Sequence, residues 1–166
     1  ETTGTFAGVE LSMRDAEIKH CRLAMLAAVH WPLAELYHPQ LADTLHMDNR
    51  LAEAGLNPSL LNGGLLTDPY LLGFAGVAAF AAGLTDLSKA KGSAPGDHGF
   101  DPLGLKGVAP PVLPGVFGRD PKQWAAEAEV THGRAAMIGI VAYAFQELNT
   151  GVPVVQETPQ LFQAPF

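Results

Sequence analysis

The chain has 166 residues, of which 48% are hydrophobic and only 16% are charged, and its formal net charge is −7. This length suits one compact unit, so the first prediction is a single domain over residues 1–166. The acidic balance excludes a nucleic-acid partner, because phosphate binding needs clustered Lys and Arg. Cys21 is the only cysteine, which excludes an internal disulfide and a multi-cysteine metal site.

The first helix is predicted over residues 9–37, a run rich in Ala, Leu, Met, Glu and Arg. Near its head lies a Glu-x-x-His-x-Arg motif that recurs at an offset of 112. The motif residues are Glu17, His20 and Arg22 in the first copy and Glu129, His132 and Arg134 in the second. Flanking Ala and Met positions match as well, which indicates an internal repeat.

The middle helix is predicted over residues 69–87. Its core, 69–85, is a stretch of 17 residues without charge, bounded by Asp68 and Asp86. A stretch of this length is at the lower end of what can span a bilayer. The composition therefore favours a membrane protein.

The third helix is predicted over residues 121–149 and contains the second motif copy. In the first helix only 12 residues separate Arg22 from Glu35, and the same holds 112 residues later. Neither run spans a membrane alone, so the motif charges must lie at or inside the apolar boundary and neutralise one another.

Helical geometry indicates which charges pair. Residues five apart on a helix point about 140° away from each other, so the Glu and Arg of one motif do not easily pair within their own helix. We therefore predict that helices one and three cross as a pseudo-twofold pair, with Glu17 paired to Arg134 and Glu129 to Arg22. Small residues are expected at the crossing: Ala24, Ala27, Ala28, Ala135, Ala136 and Gly139.

The predicted fold class is an all-α membrane protein with three transmembrane helices. Nine of the ten basic residues fall on the side that holds the chain start and the connection over 86–121, and Arg50 alone falls opposite. This asymmetry follows the positive-inside rule and orients the chain start to the side of insertion.

The motif also indicates a chemistry. Glu and His three apart stand about 60° from one another on a helix, so both can present a ligand atom at the same level. A planar magnesium macrocycle needs one axial atom, which imidazole or a charge-balanced carboxylate can supply. The alternative for a single copy is a helix-crossing lock with a hydrogen-bonded histidine, and the duplication favours the ligand interpretation.

These residues resemble the light-harvesting chlorophyll-binding superfamily, whose first and third membrane helices carry E-x-x-[HN]-x-R-x-A-M. The resemblance extends to GFDPLGL over 99–105 and to QELNTG over 146–151. The histidine at 132 and the WPLAEL stretch over 31–36 are more similar to the red-lineage branch, whose members bind chlorophyll a with or without chlorophyll c.

The resemblance implies the cofactors and their ligands. Chlorophyll a, with or without chlorophyll c, and carotenoids of the xanthophyll class are the expected cofactors, and chlorophyll magnesium is the only metal. The implied axial ligands are Glu17, His20, Glu129, His132 and Gln146. Two further candidates are His30, which could instead bond a carbonyl freed by Pro32, and Gln160. His38, His46 and His98 lie near turn residues and are expected to be solvated.

The resemblance also implies the setting. It predicts an antenna subunit, not an enzyme, that passes excitation to a photosystem core. Neighbouring antenna subunits and lipids are further partners. The location is the chloroplast thylakoid membrane, crossed several times, with the chain start on the stromal side.

The sequence alone leaves three alternatives to a light-harvesting membrane antenna. A photoprotective member of the same family would dissipate excitation, and acidic residues on the far side could then sense acidification. A bis-His haem electron carrier would bind one iron between His20 and His132, which explains the histidines but leaves the repeated glutamates unexplained. The third alternative is a soluble helical bundle, which would be extracted in salt buffer without detergent.

Overall fold

The computed structural model describes residues 3–6, 9–46, 48–49, 51, 55–89, 93–99 and 121–162. The chain enters as an antiparallel hairpin of β1 (Thr3–Phe6) and β2 (Val9–Ser12), with Phe6 opposite Val9. The prediction of helix from residue 9 was therefore wrong at its start. Val-Glu-Leu-Ser alternates apolar and polar residues, which is a strand period rather than a helix period.

Helix α1 runs over Met13–Leu45, a length of 33 residues, or about 50 Å. It extends past the predicted end at residue 37 because Pro32 and Pro39 lie inside it and do not end it. Each proline removes one backbone donor, yet the turns on either side keep theirs. This helix is longer than the apolar layer of a bilayer, which is about 30 Å thick.

A short helix α2 (Gly64–Thr67) leads into helix α3 (Pro69–Leu87), which has the bounds predicted from the sequence. Asp68 caps α3, since its side chain accepts hydrogen bonds from the backbone N–H groups of Tyr70 and Leu71. No residue of α3 is buried. Within the described ranges, α3 is the one helix long and apolar enough to cross a membrane by length and composition.

Helix α4 runs over Pro121–Thr150, one residue beyond the predicted end. Gly151 follows with φ of 65°, a left-handed conformation that ends helices readily because glycine has no Cβ. Two short helices that the sequence did not predict then follow, α5 (Val154–Glu157) and α6 (Pro159–Phe162).

The core lies between α1 and α4, which pack along each other, and α5 closes the end of this pair. Buried apolar side chains come from all three helices, among them Ile18, Val130 and Val154. Many large apolar side chains stay exposed, such as Leu26, Phe74 and Ile138. Apolar patches of this extent mark contact surfaces for lipid, ligand or partner. The described fold is therefore helical apart from the hairpin.

Candidate functional site

The two long helices are in direct contact at Cys21 and Gly133, which occupy equivalent positions of the two repeats. Cys21 is fully buried, and a Cβ atom on Gly133 would lie within 3 Å of three atoms of Cys21. Glycine is required here because no other side chain fits between the backbones. The helices thus cross inside the motif itself, between its His and its Arg.

The contact of Cys21 with Gly133 differs from the set of small residues that we expected at the crossing. Ala24 is buried at the interface, but Ala135 is exposed, and a Cβ atom on Gly139 would meet nothing within 4 Å. The expectation counted small residues along the helix without finding which of them face the partner. Cys21 was missed because cysteine is not among the residues that usually mark close helix packing.

The structure brings each motif glutamate to the arginine of the other helix. Arg134 donates to Oε1 of Glu17 from Nε at 2.8 Å and from Nη2 at 2.6 Å. Arg22 donates from Nε to Oε1 of Glu129 at 2.5 Å. All four side chains are between a quarter and two thirds exposed. We name Glu17, Arg22, Glu129 and Arg134 the head cluster.

Two contacts of the head cluster have no counterpart in the sequence prediction. Arg14 donates to the second oxygen of Glu17 at 3.0 Å, so this oxygen is engaged rather than free. Arg22 also donates to the carbonyl oxygen of Gly96 at 2.7 Å, which attaches the segment after α3 to α1. Contacts three residues apart on one helix could have indicated Arg14, whereas the Gly96 contact depends on tertiary placement.

His20 and His132 make the same hydrogen bond on the two helices, to the backbone carbonyl oxygen four residues earlier. Nδ1 of His20 lies 2.7 Å from the carbonyl oxygen of Ala16, and Nδ1 of His132 lies 2.8 Å from that of Ala128. A carbonyl oxygen only accepts, so Nδ1 must carry the proton, and the lone pair of neutral imidazole is then on Nε2. Both histidines are exposed, which leaves Nε2 available to an external ligand.

Ion pairs also connect the N-terminal part of α1 to the C-terminal end of α3. Lys19 bridges Asp15 at 2.9 Å and Asp86 at 2.8 Å, while Asp15 also accepts from Lys89 at 2.8 Å. Asp15 accepts a further bond from the backbone N–H of Gly96 at 2.5 Å. The carboxylate of Asp86, in the last turn of α3, is therefore paired with Lys19.

Other candidates lie apart from the head cluster. Gln146 donates through Nε2 to Glu157 at 2.5 Å, which keeps its amide oxygen as the acceptor atom. His30 and Gln160 are exposed. Within the described part of the chain, no three His, Cys, Asp or Glu side chains converge as a cage for a free metal ion.

The expectation that His38 is solvated was wrong. His38 lies within α1, which continues past it to Leu45, so it is half-buried on a helix rather than exposed at a turn. Its Nε2 is buried without a hydrogen-bond partner among the described residues. His98 is also half-buried, whereas His46 is exposed. Most of the GFDPLGL motif lies outside the described residues.

The far end of the same helix pair holds a buried acidic cluster that the sequence reading missed. Glu147 is 1% exposed and accepts a hydrogen bond from Nε1 of Trp31 at 2.8 Å. Glu35 accepts from the backbone N–H of Val155 in α5 at 2.9 Å, and the carboxyl groups of Glu35 and Glu147 interact. One oxygen of each glutamate is buried without a partner within the described residues. We name Trp31, Glu35 and Glu147 the tail cluster.

The spacing of residues in the internal repeat could have predicted the tail cluster. Cys21 and Glu35 are 14 residues apart, which is two heptads, so both face the partner helix. Glu147 stands at the same distance from Gly133. Equivalent residues on this face meet across the helix pair.

The family profile described as Chlorophyll A-B binding protein matches residues 86–165. A fucoxanthin-chlorophyll a-c binding protein of Chattonella marina var. antiqua is 33% identical over 143 residues, which are 86% of this chain and 59% of that protein. The corresponding protein of Isochrysis galbana is 31% identical over 156 residues, covering 84% of this chain and 64% of that protein.

A light-harvesting complex stress-related protein of Chlamydomonas reinhardtii is 31% identical over 146 residues, covering 81% of this chain and 53% of that protein. The chain thus spans less than two thirds of the length of each of these three relatives. The profile match includes the second motif copy, whose Glu129 pairs with Arg22 of the first copy in the head cluster. On these grounds the chain belongs to the light-harvesting chlorophyll-binding protein superfamily and is similar to its red-lineage members.

Proposed function

We propose that this chain is a photosynthetic antenna subunit that binds chlorophylls and carotenoids, absorbs light and transfers excitation energy to a photosystem. The observation that carries the proposal is the doubled arrangement of the head cluster beside two outward-facing histidines. The family is one of pigment-binding proteins rather than enzymes, and the proposed process makes and breaks no bond. Chlorophyll supplies the absorption and the excitation transfer when it is bound.

The four motif ligands fit magnesium of the macrocycle. His20 and His132 each offer Nε2, because the carbonyl bond at Nδ1 fixes the tautomer and the ring orientation. Glu17 and Glu129 each offer a carboxylate whose charge is balanced by an arginine of the other helix. A balanced carboxylate can ligate without leaving a net charge in an apolar layer.

For Glu17 the ligating atom is the oxygen that Arg14 contacts. Arg14 is 44% exposed, and an ion pair this open contributes little because solvent screens it. Displacing Arg14 from this oxygen therefore costs little. The bond from Arg134, on the other oxygen, stays in place.

Gln146 is the proposed fifth ligand, through its amide oxygen. The bond from Nε2 to Glu157 orients the amide so that the oxygen points away from that carboxylate. His30 and Gln160 are secondary candidates, since both are exposed. The proposed cofactors are chlorophyll a, chlorophyll c and xanthophylls, in keeping with the names of the two fucoxanthin-chlorophyll a-c relatives.

The proposed topology has three membrane spans, formed by α1, α3 and α4. The composition of α3, the lengths of α1 and α4, and the charge-balanced head cluster support it. The proposed location is the thylakoid membrane of the chloroplast, with the chain start on the stromal side, as the charge asymmetry indicates. The proposed partners are a photosystem core, neighbouring antenna subunits and lipids that cover the exposed apolar side chains.

Reconstitution with chlorophyll a, chlorophyll c and carotenoids in detergent tests this proposal. We expect His132→Leu to lose one chlorophyll per chain and to keep its helical circular dichroism, because His132 is exposed and packs no core. Arg134→Leu should reduce the yield of assembled protein and the occupancy at Glu17 together, because Glu17 then lacks its partner on the other helix. Loss of one chlorophyll and nothing else in both variants would contradict the two roles.

A single absorption spectrum separates this proposal from a bis-His haem carrier. Chlorophyll gives strong red absorption, whereas haem gives a Soret band and α-band that change on reduction. A redox-sensitive haem spectrum in the native protein, with no red band, would overturn the antenna function. Extraction into salt buffer without detergent would overturn the membrane topology.

A dissipating role is the second candidate, because one of the relatives is named as a stress-related light-harvesting protein. The discriminating measurement is the fluorescence lifetime of the pigmented protein at neutral and acidic pH. A lifetime that stays long in acid supports harvesting. Strong shortening in acid supports dissipation.

A further inference from the structure

A cavity lies between α1 and the start of α3, away from the head cluster. Its volume is about 350 Å³, which is within the range of cofactor sites. One face of α1 lines it with side chains from His30 to Leu41, and Leu71 of α3 stands opposite. The cavity therefore joins two elements whose described residues otherwise make few contacts with each other.

His38 is the distinctive group in this wall. Its Nε2 is buried and has no hydrogen-bond partner among the described residues. An unpaired buried nitrogen costs about 1–3 kcal/mol, so a bound group that engages it is favoured. The ring as a whole is half-buried and forms part of the cavity wall. Ligation would require the ring to turn so that Nε2 faces the cavity.

The rest of the lining decides which chemistry fits. Leu33, Tyr37, Leu41 and Leu71 make the walls largely apolar, and no Asp, Glu, Lys or Arg is among the described residues that line the cavity. A free divalent cation prefers several oxygen ligands and would find no carboxylate among these residues. A neutral, flat macrocycle with one open axial position needs only the imidazole.

We propose that this cavity binds a further magnesium tetrapyrrole, with Nε2 of His38 as its axial ligand. The inference rests on the proposed pigment-binding function and adds a site that neither motif copy contains. His30 lies eight residues earlier, about 12 Å along the helix, at the other end of the cavity. This separation prevents both imidazoles from ligating the same magnesium from one side of the ring.

The experiment is reconstitution of the full chain with chlorophylls and carotenoids, followed by pigment extraction and chromatography. We expect His38→Leu to lose one chlorophyll per chain and to keep the carotenoid content. Leu71→Trp should lose the same chlorophyll, because the indole fills the cavity from α3 while His38 stays intact. The matched control is Leu72→Trp, since Leu72 neighbours Leu71 and does not line the cavity.

A rescue measurement tests the ligand role itself. His38→Gly removes the imidazole, and imidazole added during reconstitution should restore the missing chlorophyll. A packing defect caused by the substitution would not respond to imidazole. Helical circular dichroism of each variant shows whether the fold is kept.

The outcomes separate this inference from the proposed function. If the native chain binds no chlorophyll, the proposed function fails. If His20→Leu loses one chlorophyll while His38→Leu keeps the native number, only this inference is overturned. Loss of a carotenoid instead of a chlorophyll from His38→Leu would also overturn it, as would loss of the same chlorophyll from His30→Leu with His38→Leu unaffected.

Discussion

The glutamates at the two ends of the α1 and α4 pair have opposite kinds of partner. In the head cluster, each glutamate meets an arginine of the other helix, and the side chains stay partly exposed. In the tail cluster, two glutamates face each other and Glu147 is almost fully buried. The same repeat thus produces two pairs of unlike charges at one end and one pair of like groups at the other.

The difference follows from which side of each helix a residue occupies. Residues on the face that includes Cys21 meet their own repeat equivalents, as Cys21 meets Gly133 and Glu35 meets Glu147. Residues beside that face reach across to different positions, so Glu17 meets Arg134, five residues beyond its own equivalent. Equivalent residues of the two repeats therefore contact each other on the face that includes Cys21. Beside this face, a residue of one repeat contacts a different position of the other repeat.

The largest expected effect comes from the crossing point between the two clusters. Gly133→Ala should sharply reduce assembly, because its Cβ would lie too close to Cys21 for the helices to keep their separation. Overpacking of this kind costs about 1–3 kcal/mol, and both clusters would be displaced with it. The measurement is the yield and melting temperature of the reconstituted pigment complex.

Gly139→Ala is the matched control, since a Cβ atom there meets nothing within 4 Å. It should melt at or slightly above the native temperature, because alanine favours helix over glycine. Equal loss of assembly in both variants would mean that helix flexibility, rather than the crossing distance, explains the requirement for Gly133.

The next largest effect separates the two arginines of the head cluster. Arg22→Leu should reduce assembly more than Arg134→Leu, because Arg22 contacts both Glu129 and the carbonyl of Gly96, whereas Arg134 contacts Glu17. Chlorophyll content and melting temperature of the two variants provide the measurement. An equal effect would indicate that the Gly96 contact contributes nothing to assembly.

Part of this arrangement was predictable from the sequence. The bounds of α3 follow from an uncharged stretch with Asp68 before it and Asp86 in its last turn, and the cross-helix partners follow from the angle between Glu and Arg on one helix. The hairpin was missed because an apolar alternation of four residues is a weak signal beside a long helix. The contacts of Asp15 and Arg22 with Gly96 depend on how a distant segment folds back, which no local pattern encodes.

The tail cluster should respond less than the head cluster to single substitutions. Trp31→Phe removes the one indole donor to Glu147 and leaves that buried carboxyl group with less hydrogen bonding. The expected cost is about 1–3 kcal/mol, seen as a lower melting temperature with unchanged chlorophyll content. Trp124→Phe is the control, since Trp124 is exposed on α4. A comparable decrease in the control would assign the effect to loss of aromatic area.

The smallest effect is expected for Glu147→Gln, and its sign distinguishes the two clusters. Glutamine keeps the shape of the side chain and offers an amide N–H to the unpartnered oxygen of Glu35, while its carbonyl oxygen still accepts from Trp31. The melting temperature should therefore stay the same or rise, whereas Glu129→Gln in the head cluster should lower it by weakening the bond to Arg22. A decrease for Glu147→Gln as large as that for Glu129→Gln would show that the tail cluster needs a charged carboxylate, and the contrast between buried like groups and paired unlike charges would fail.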